Sequence, residues 1–145
     1  MEVDNASSLT KAKGLWWDDC GLVIQAENTL YRVSRDFLAS HSPVFRDMLL
    51  LPSPQDAETF EGCPLVHLPD SEEDITAFFS ALFIYDFFLP YPFPTTFPVV
   101  SSVIRMSDKY GVDGLRARAL THLEATHPMT HPEMKKVYEN ESETF

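Results

Sequence analysis

Asp18-Asp19-Cys20-Gly21-Leu22-Val23-Ile24-Gln25-Ala26-Glu27-Asn28-Thr29-Leu30-Tyr31-Arg32-Val33-Ser34-Arg35-Asp36-Phe37-Leu38-Ala39-Ser40-His41-Ser42-Pro43-Val44-Phe45-Arg46-Asp47-Met48-Leu49 decides the fold. Leu22-Val23-Ile24 is a short apolar run, and Thr29 to Val33 is rich in β-branched and aromatic residues, so two strands are expected. Glu27-Asn28 fits the turn between them, because Asn tolerates left-handed backbone angles. At Ser34 the period changes. Phe37 and Leu38 lie on the apolar side of a short helix that should stop near His41. Ser42-Pro43 then starts another: Ser accepts a hydrogen bond from an orphan N–H, and Pro fits the first helical position. Val44, Phe45, Met48 and Leu49 repeat at helical spacing.

These residues resemble the BTB/POZ domain, most closely the BTB domains numerous in fungal proteins. The family pattern is an acid, a hydrophobic strand, a hairpin ending in aromatic-x-Val-His-Arg, then x-x-Leu-Ala-x-x-Ser-x-x-Phe-x-x-Met. It corresponds here to Asp19, Leu22-Val23-Ile24, Tyr31-Arg32-Val33-Ser34-Arg35, Leu38-Ala39, Ser42, Phe45 and Met48. Ser34 departs from it, standing where the family usually has His. The later run Asp108-Lys109-Tyr110-Gly111-Val112-Asp113-Gly114-Leu115 is similar to the family's x-Lys-Tyr-x-Val/Ile-x-x-Leu junction between its last two helices. The resemblance covers about residues 15–124. It implies an α+β fold: a small sheet of about three strands or slightly more, with about five or six short helices. Residues 1–14 are expected to form a flexible tail, and 125–145 a short extension, partly helical or frayed.

The 145-residue length suits one domain. Hydrophobic residues make up 44%, which favours a folded chain over disorder. A formal net charge of −11 and a pI near 4.7 argue against a nucleic-acid surface and against anionic membranes. Met1 to Leu15 lacks the apolar centre of a secretory signal, and no apolar run has the length of a membrane span. The reading is therefore an intracellular protein, cytoplasmic or nuclear. Its two cysteines, Cys20 and Cys63, are expected as free thiols, with one disulfide the open alternative.

Along the chain, Trp16 and Trp17 begin the ordered part and cover an edge of the core, with a ligand-stacking platform the alternative. Residues 50–62 read as a loop; its Ser53-Pro54 is a weak phosphorylation motif. Cys63 to Leu68 reads as a strand with Leu65, Val66 and Leu68 as core residues. Asp70 to Asp74 caps a helix whose apolar face is Ile75, Phe78, Phe79, Leu82 and Phe83; acids at a helix start suit its dipole better than a metal. Residues 84–98 are dense in aromatics and prolines. They form either a rigid loop folded over the core or a partner surface of Phe87, Phe88, Tyr91, Phe93 and Phe97. A helix then carries Val100, Val103, Ile104 and Ser107, ended by Gly111, and a further helix turns Leu115, Ala119, Leu120 and Leu123 inward. His127 and His131 have zinc-compatible spacing, but prolines follow both and no third ligand is near.

No catalytic signature is present: no glycine-rich phosphate loop, no G-x-S-x-G elbow, no Cys-x-x-Cys. No cofactor and no metal are expected, and no catalysis. The family resemblance implies a protein–protein interaction module that forms a homodimer, or a heterodimer with another BTB protein. By that analogy Trp16, Trp17, Phe37, Leu38 and Ser42 are contact residues, and Asp19 with Arg35 is a charged groove pair; a plain corner ion pair is the alternative for the last two. Some BTB proteins instead recruit a cullin scaffold for ubiquitin transfer. Their hydrophobic-x-Glu element is missing here, since no glutamate falls between Glu73 and Glu124. A transcription-factor role lacks both zinc-finger spacing and a basic segment.

Overall fold

The computed structural model describes residues 8–51 and 56–126. The chain divides into two units, Met1–Glu72 and Glu73–Phe145. The mixed α+β class expected from the sequence is what the structure has, with five strands and five helices among the described residues.

The first unit holds the sheet, in the order β1-β3-β2-β5-β4. Strand β1 is Thr10–Trp16, β2 Leu22–Ala26, β3 Thr29–Val33, β4 Thr59–Phe60 and β5 Cys63–Leu68. β2 is central. It pairs antiparallel with β3 and parallel with β5, with Val23 opposite Leu65. A strand in that place is covered on both faces, which is why it reads as a continuous apolar run: Leu22, Val23, Ile24 and Ala26 are all buried.

Three expectations need correction. Residues 10–14 are not tail but part of β1, parallel to β3. The strand looked polar because only Ala12 and Leu15 turn inward, while an irregularity between Lys11 and Trp16, with Gly14 at φ +82°, breaks the alternation. The expected loop 50–62 also contains β4, joined to β5 through Glu61 and Gly62, both at positive φ; two residues are too few to show a period. In the β2–β3 turn the left-handed residue is Glu27, at φ 53°, rather than Asn28. Its carboxylate accepts the Glu72 amide at 2.7 Å. Thr29 also donates to the Glu72 carboxylate, and Tyr31 Oη donates to the Glu72 carbonyl at 3.2 Å.

Between β3 and β5 lie α1, Arg35–His41, and α2, Pro43–Leu50. Ser34 caps the first by accepting from the Phe37 amide. Ser42 joins the two. Its amide donates to the Leu38 carbonyl at 2.9 Å, and its hydroxyl accepts from the Phe45 amide at 3.1 Å.

The second unit is helical. α3 is Glu72–Phe83, whose first residue closes the preceding unit; α4 is Phe97–Tyr110 and α5 is Asp113–Thr126. Ile75, Phe78 and Phe79 are buried as expected, whereas Leu82 and Phe83 are half-buried. Phe78 stacks on Tyr110, ring centroids 5.8 Å apart. Gly111 ends α4 in the left-handed conformation, φ 73°, a cost-free angle only for glycine. His127, His131, Ser53-Pro54 and the expected C-terminal extension beyond Thr126 lie outside the described residues.

Candidate functional site

The first surface is built on α1 and α2. Helical spacing sends Leu38 and Phe45 fully into the core and leaves Phe37, His41 and Val44 exposed. At the end of α2, Leu50 and Leu51 are 75% and 70% exposed. Leucines that open to water keep no burial free energy, roughly 1.5–3 kcal/mol each when covered, so a covering partner would gain it. The Phe37 and His41 rings stack at 4.3 Å with 24° between their planes. His41 Nδ1 lies 3.0 Å from both the Phe37 carbonyl and Ser40 Oγ. Ser40 Oγ donates to the same carbonyl at 2.8 Å. A carbonyl only accepts, so Nδ1 carries the proton and cannot serve as base toward Ser40.

Several expected contact residues take other roles. Leu38 is a core side chain, and Ser42 is a buried cap between two helices; neither reaches the surface. Trp16 is half-buried, edge-on to Phe60 at 5.9 Å, with the Lys11 ammonium 4.5 Å from its ring. Trp17 is half-buried too, its amide on the Arg32 carbonyl at 3.0 Å. Asp19 and Arg35 form no ion pair. Arg35 donates instead to the Leu49 carbonyl at 2.5 Å, pinning the last turn of α2, and Asp19 accepts from the Cys20 thiol. Backbone ends of a helix are orphan acceptors, so a nearby guanidinium finds a partner there without a carboxylate.

The second surface belongs to the helical unit. Of the aromatic–proline residues, Phe88 and Phe97 are fully buried, Phe97 as the first residue of α4. Phe87, Tyr91 and Phe93 are exposed, as is Tyr85. α5 holds the segment by its backbone. Arg118 donates to the Phe88 carbonyl at 3.0 Å, His122 Nε2 to the Leu89 carbonyl at 2.7 Å, and Thr121 Oγ1 accepts from the Tyr91 amide at 3.0 Å. Tyr91–Pro92 is a cis peptide. Polar residues at 118, 121 and 122, spaced to share one helix face, are the sequence signal for this clamp.

A polar cluster joins α3 to α4. Asp74 accepts from Ser102 Oγ and from Arg105, each at 2.7 Å, and Arg105 also bonds Ser101. With Glu73 and Pro98 these serines and Arg105 line a shallow pocket. Elsewhere, burial first and the Asp19 charge second push the Cys20 thiol above its ordinary value, the reverse of an activated nucleophile. Both cysteines are free thiols. Among the described residues no group of three His, Cys, Asp or Glu side chains is placed to hold a metal ion, and no helix is long and apolar enough to cross a membrane.

Comparison with protein-family models finds no match, and comparison with curated proteins finds no significant relative.

Proposed function

We propose that this chain is a protein–protein interaction module of BTB type, without catalysis of its own, that pairs with a second copy or a related chain through α1 and α2. One observation carries the reading: Phe37, Val44 and Leu50 on α1 and α2, and Leu51 just after α2, stay exposed while Leu38 and Phe45 of the same helices are buried. Exposed apolar side chains gathered on adjoining elements mark interaction surfaces. The mixed α+β class, with a small sheet and a set of short helices, supports it, since that is the class the family resemblance implies. An intracellular setting, cytoplasmic or nuclear, belongs to the same proposal.

Light scattering of the purified chain across a dilution series tests it. A dimer is expected, and Phe37→Asp or Leu50→Asp should yield a folded monomer. A wild-type chain that stays monomeric at high concentration removes the homodimer. A second reading, an adaptor recruiting a cullin-type scaffold, draws on the exposed Phe87, Tyr91 and Phe93 held in place by α5. It predicts capture of the scaffold by the wild-type chain and loss of capture in Tyr91→Ser/Phe93→Ser.

A further inference from the structure

We propose that Cys20 and Cys63 form an oxidation site: a peroxide closes them into a disulfide that ties the entry of β2 to the start of β5. Both residues belong to the sheet unit, and the site does not depend on how the chain pairs. β2 and β5 run parallel, with Val23 opposite Leu65. Continuing that register back by two residues sets Gly21 opposite Cys63 and makes Cys20 its diagonal neighbour. Adjacent strands lie about 4.8 Å apart and successive residues about 3.3 Å, which gives a Cα separation of about 6 Å, inside the roughly 4.4–6.8 Å that a disulfide spans. The Cys63 sulfur already turns that way, 4.0 Å from the Cys20 carbonyl oxygen. Arg32 Nε donates to the same oxygen at 2.6 Å and fixes the Cys20 backbone beside β3.

The two thiols differ in access. Cys20 is half-buried, and its thiol donates to the adjacent Asp19 carboxylate at 3.9 Å, so a turn about one side-chain bond frees it. Cys63 is 7% exposed and packs with Val23, Phe60 and Leu65. A peroxide therefore meets Cys20 first. The O–O bond breaks as the Cys20 sulfur takes one oxygen, giving a sulfenic acid and one water. The Cys63 sulfur then attacks the Cys20 sulfur. The S–O bond breaks, and the hydroxyl leaves with the Cys63 proton as a second water. Two thiols lose two hydrogens and two electrons, and hydrogen peroxide becomes two waters. The chain has no third cysteine to divert the sulfenic acid. Burial first and Asp19 second hold the Cys20 proton, so the step is slow at neutral pH and faster in mild alkali. The bridge closes a loop that includes β3, α1, α2 and β4, which removes freedom chiefly from the unfolded chain.

The test treats the purified full chain with excess hydrogen peroxide at about pH 8.5, the ordinary thiol range, and then takes its intact mass. A chain lighter by two hydrogens is expected, with tryptic peptides 14–32 and 47–105 joined and separated again by dithiothreitol. The oxidised chain should melt roughly 5–15 °C above the reduced one. Cys63→Ala should leave Cys20 as a sulfenic acid that dimedone traps, whereas the wild type resolves it. Cys20→Ser, at the more accessible position, should stay folded by circular dichroism and lose no hydrogens. A wild-type chain that gains oxygens at Cys20 without joining the two peptides overturns the inference. So does a link found only between copies or only in urea, and so does an oxidised chain that melts below the reduced one.

Discussion

His122 Nε2 donates to the Leu89 carbonyl at 2.7 Å, and that bond sits beside the packing of the His122 ring on Phe88, 5.3 Å between centroids. A histidine that is 1% exposed is here a structural donor that fixes a proline-rich segment to a helix. His122→Ala removes the ring and strands a carbonyl. A loss of about 2–4 kcal/mol is expected, from the cavity and the unmet acceptor together. Urea unfolding measures it; a loss below about 0.5 kcal/mol, under the roughly 0.5–1.5 kcal/mol net contribution of an ordinary hydrogen bond, would show that the bond is not retained in solution.

Ser42 and Ser34 are both helix caps, but Ser42 is fully buried and Ser34 is not. Replacing a cap by alanine costs about 0.5–2 kcal/mol. Water can replace the Ser34 hydroxyl and cannot reach the Phe45 amide. Ser42→Ala should therefore lie at the upper end of that range and Ser34→Ala at the lower. Equal midpoints in thermal melts would contradict the burial argument.

Glu27 combines a strained angle with a useful carboxylate. At φ 53° a residue with a Cβ is disfavoured by roughly 1–2 kcal/mol, whereas glycine is not. Its carboxylate satisfies the Glu72 amide. Glu27→Ala keeps the strain and loses the acceptor, so it should destabilise by about 1–2 kcal/mol. Glu27→Gly loses the acceptor and the strain together and should be close to neutral. The order Gly above Ala is the outcome to check by denaturation.

Cys20 should alkylate more slowly than an ordinary thiol near neutral pH. Burial and then Asp19 raise its thiol, so less thiolate is present at a given pH, and the rate should climb at higher pH than for a free cysteine. Asp19→Asn should move the profile down. The stability sign follows: the folded chain holds this proton more tightly than the unfolded one. The contribution is therefore complete below the unfolded thiol's range and is lost as pH rises through the folded one. Iodoacetamide rates against pH check the direction.

The elements with a clear period were readable before any coordinates. Ser42-Pro43 marked a helix start, Gly111 a helix end, and the apolar run at Leu22 the central strand, because each rests on local backbone chemistry. β1 was missed because its position at the edge lets Lys11 and Lys13 face water, leaving too few apolar residues to count. β4 was missed because it is two residues long. The surface was least legible. Phe37 and Leu38 are neighbours of equal hydrophobicity, and only the helix's rotation decides that one is exposed and the other buried. Likewise Phe88 and Phe97 went into the core while Phe87, Tyr91 and Phe93 did not. Asp19 and Arg35 carry opposite charges, yet a carbonyl took the arginine.

The parallel pairing of β2 with β5 sets an order of events during synthesis. Strands β2 and β3 can close a hairpin as soon as they leave the ribosome, since their partners are neighbours in sequence. β5 lies beyond two helices, and Val23 waits for Leu65 to emerge before its other edge is paired. Closing that larger loop has an entropic cost that a hairpin avoids, so non-local pairing is the slower step. Until then the growing chain exposes one apolar strand edge, the kind that recruits stray strands. Pulse-labelled hydrogen exchange during refolding should protect the Ile24 and Tyr31 amides of the hairpin before those of β5. Simultaneous protection would mean that the nascent sheet is never left open.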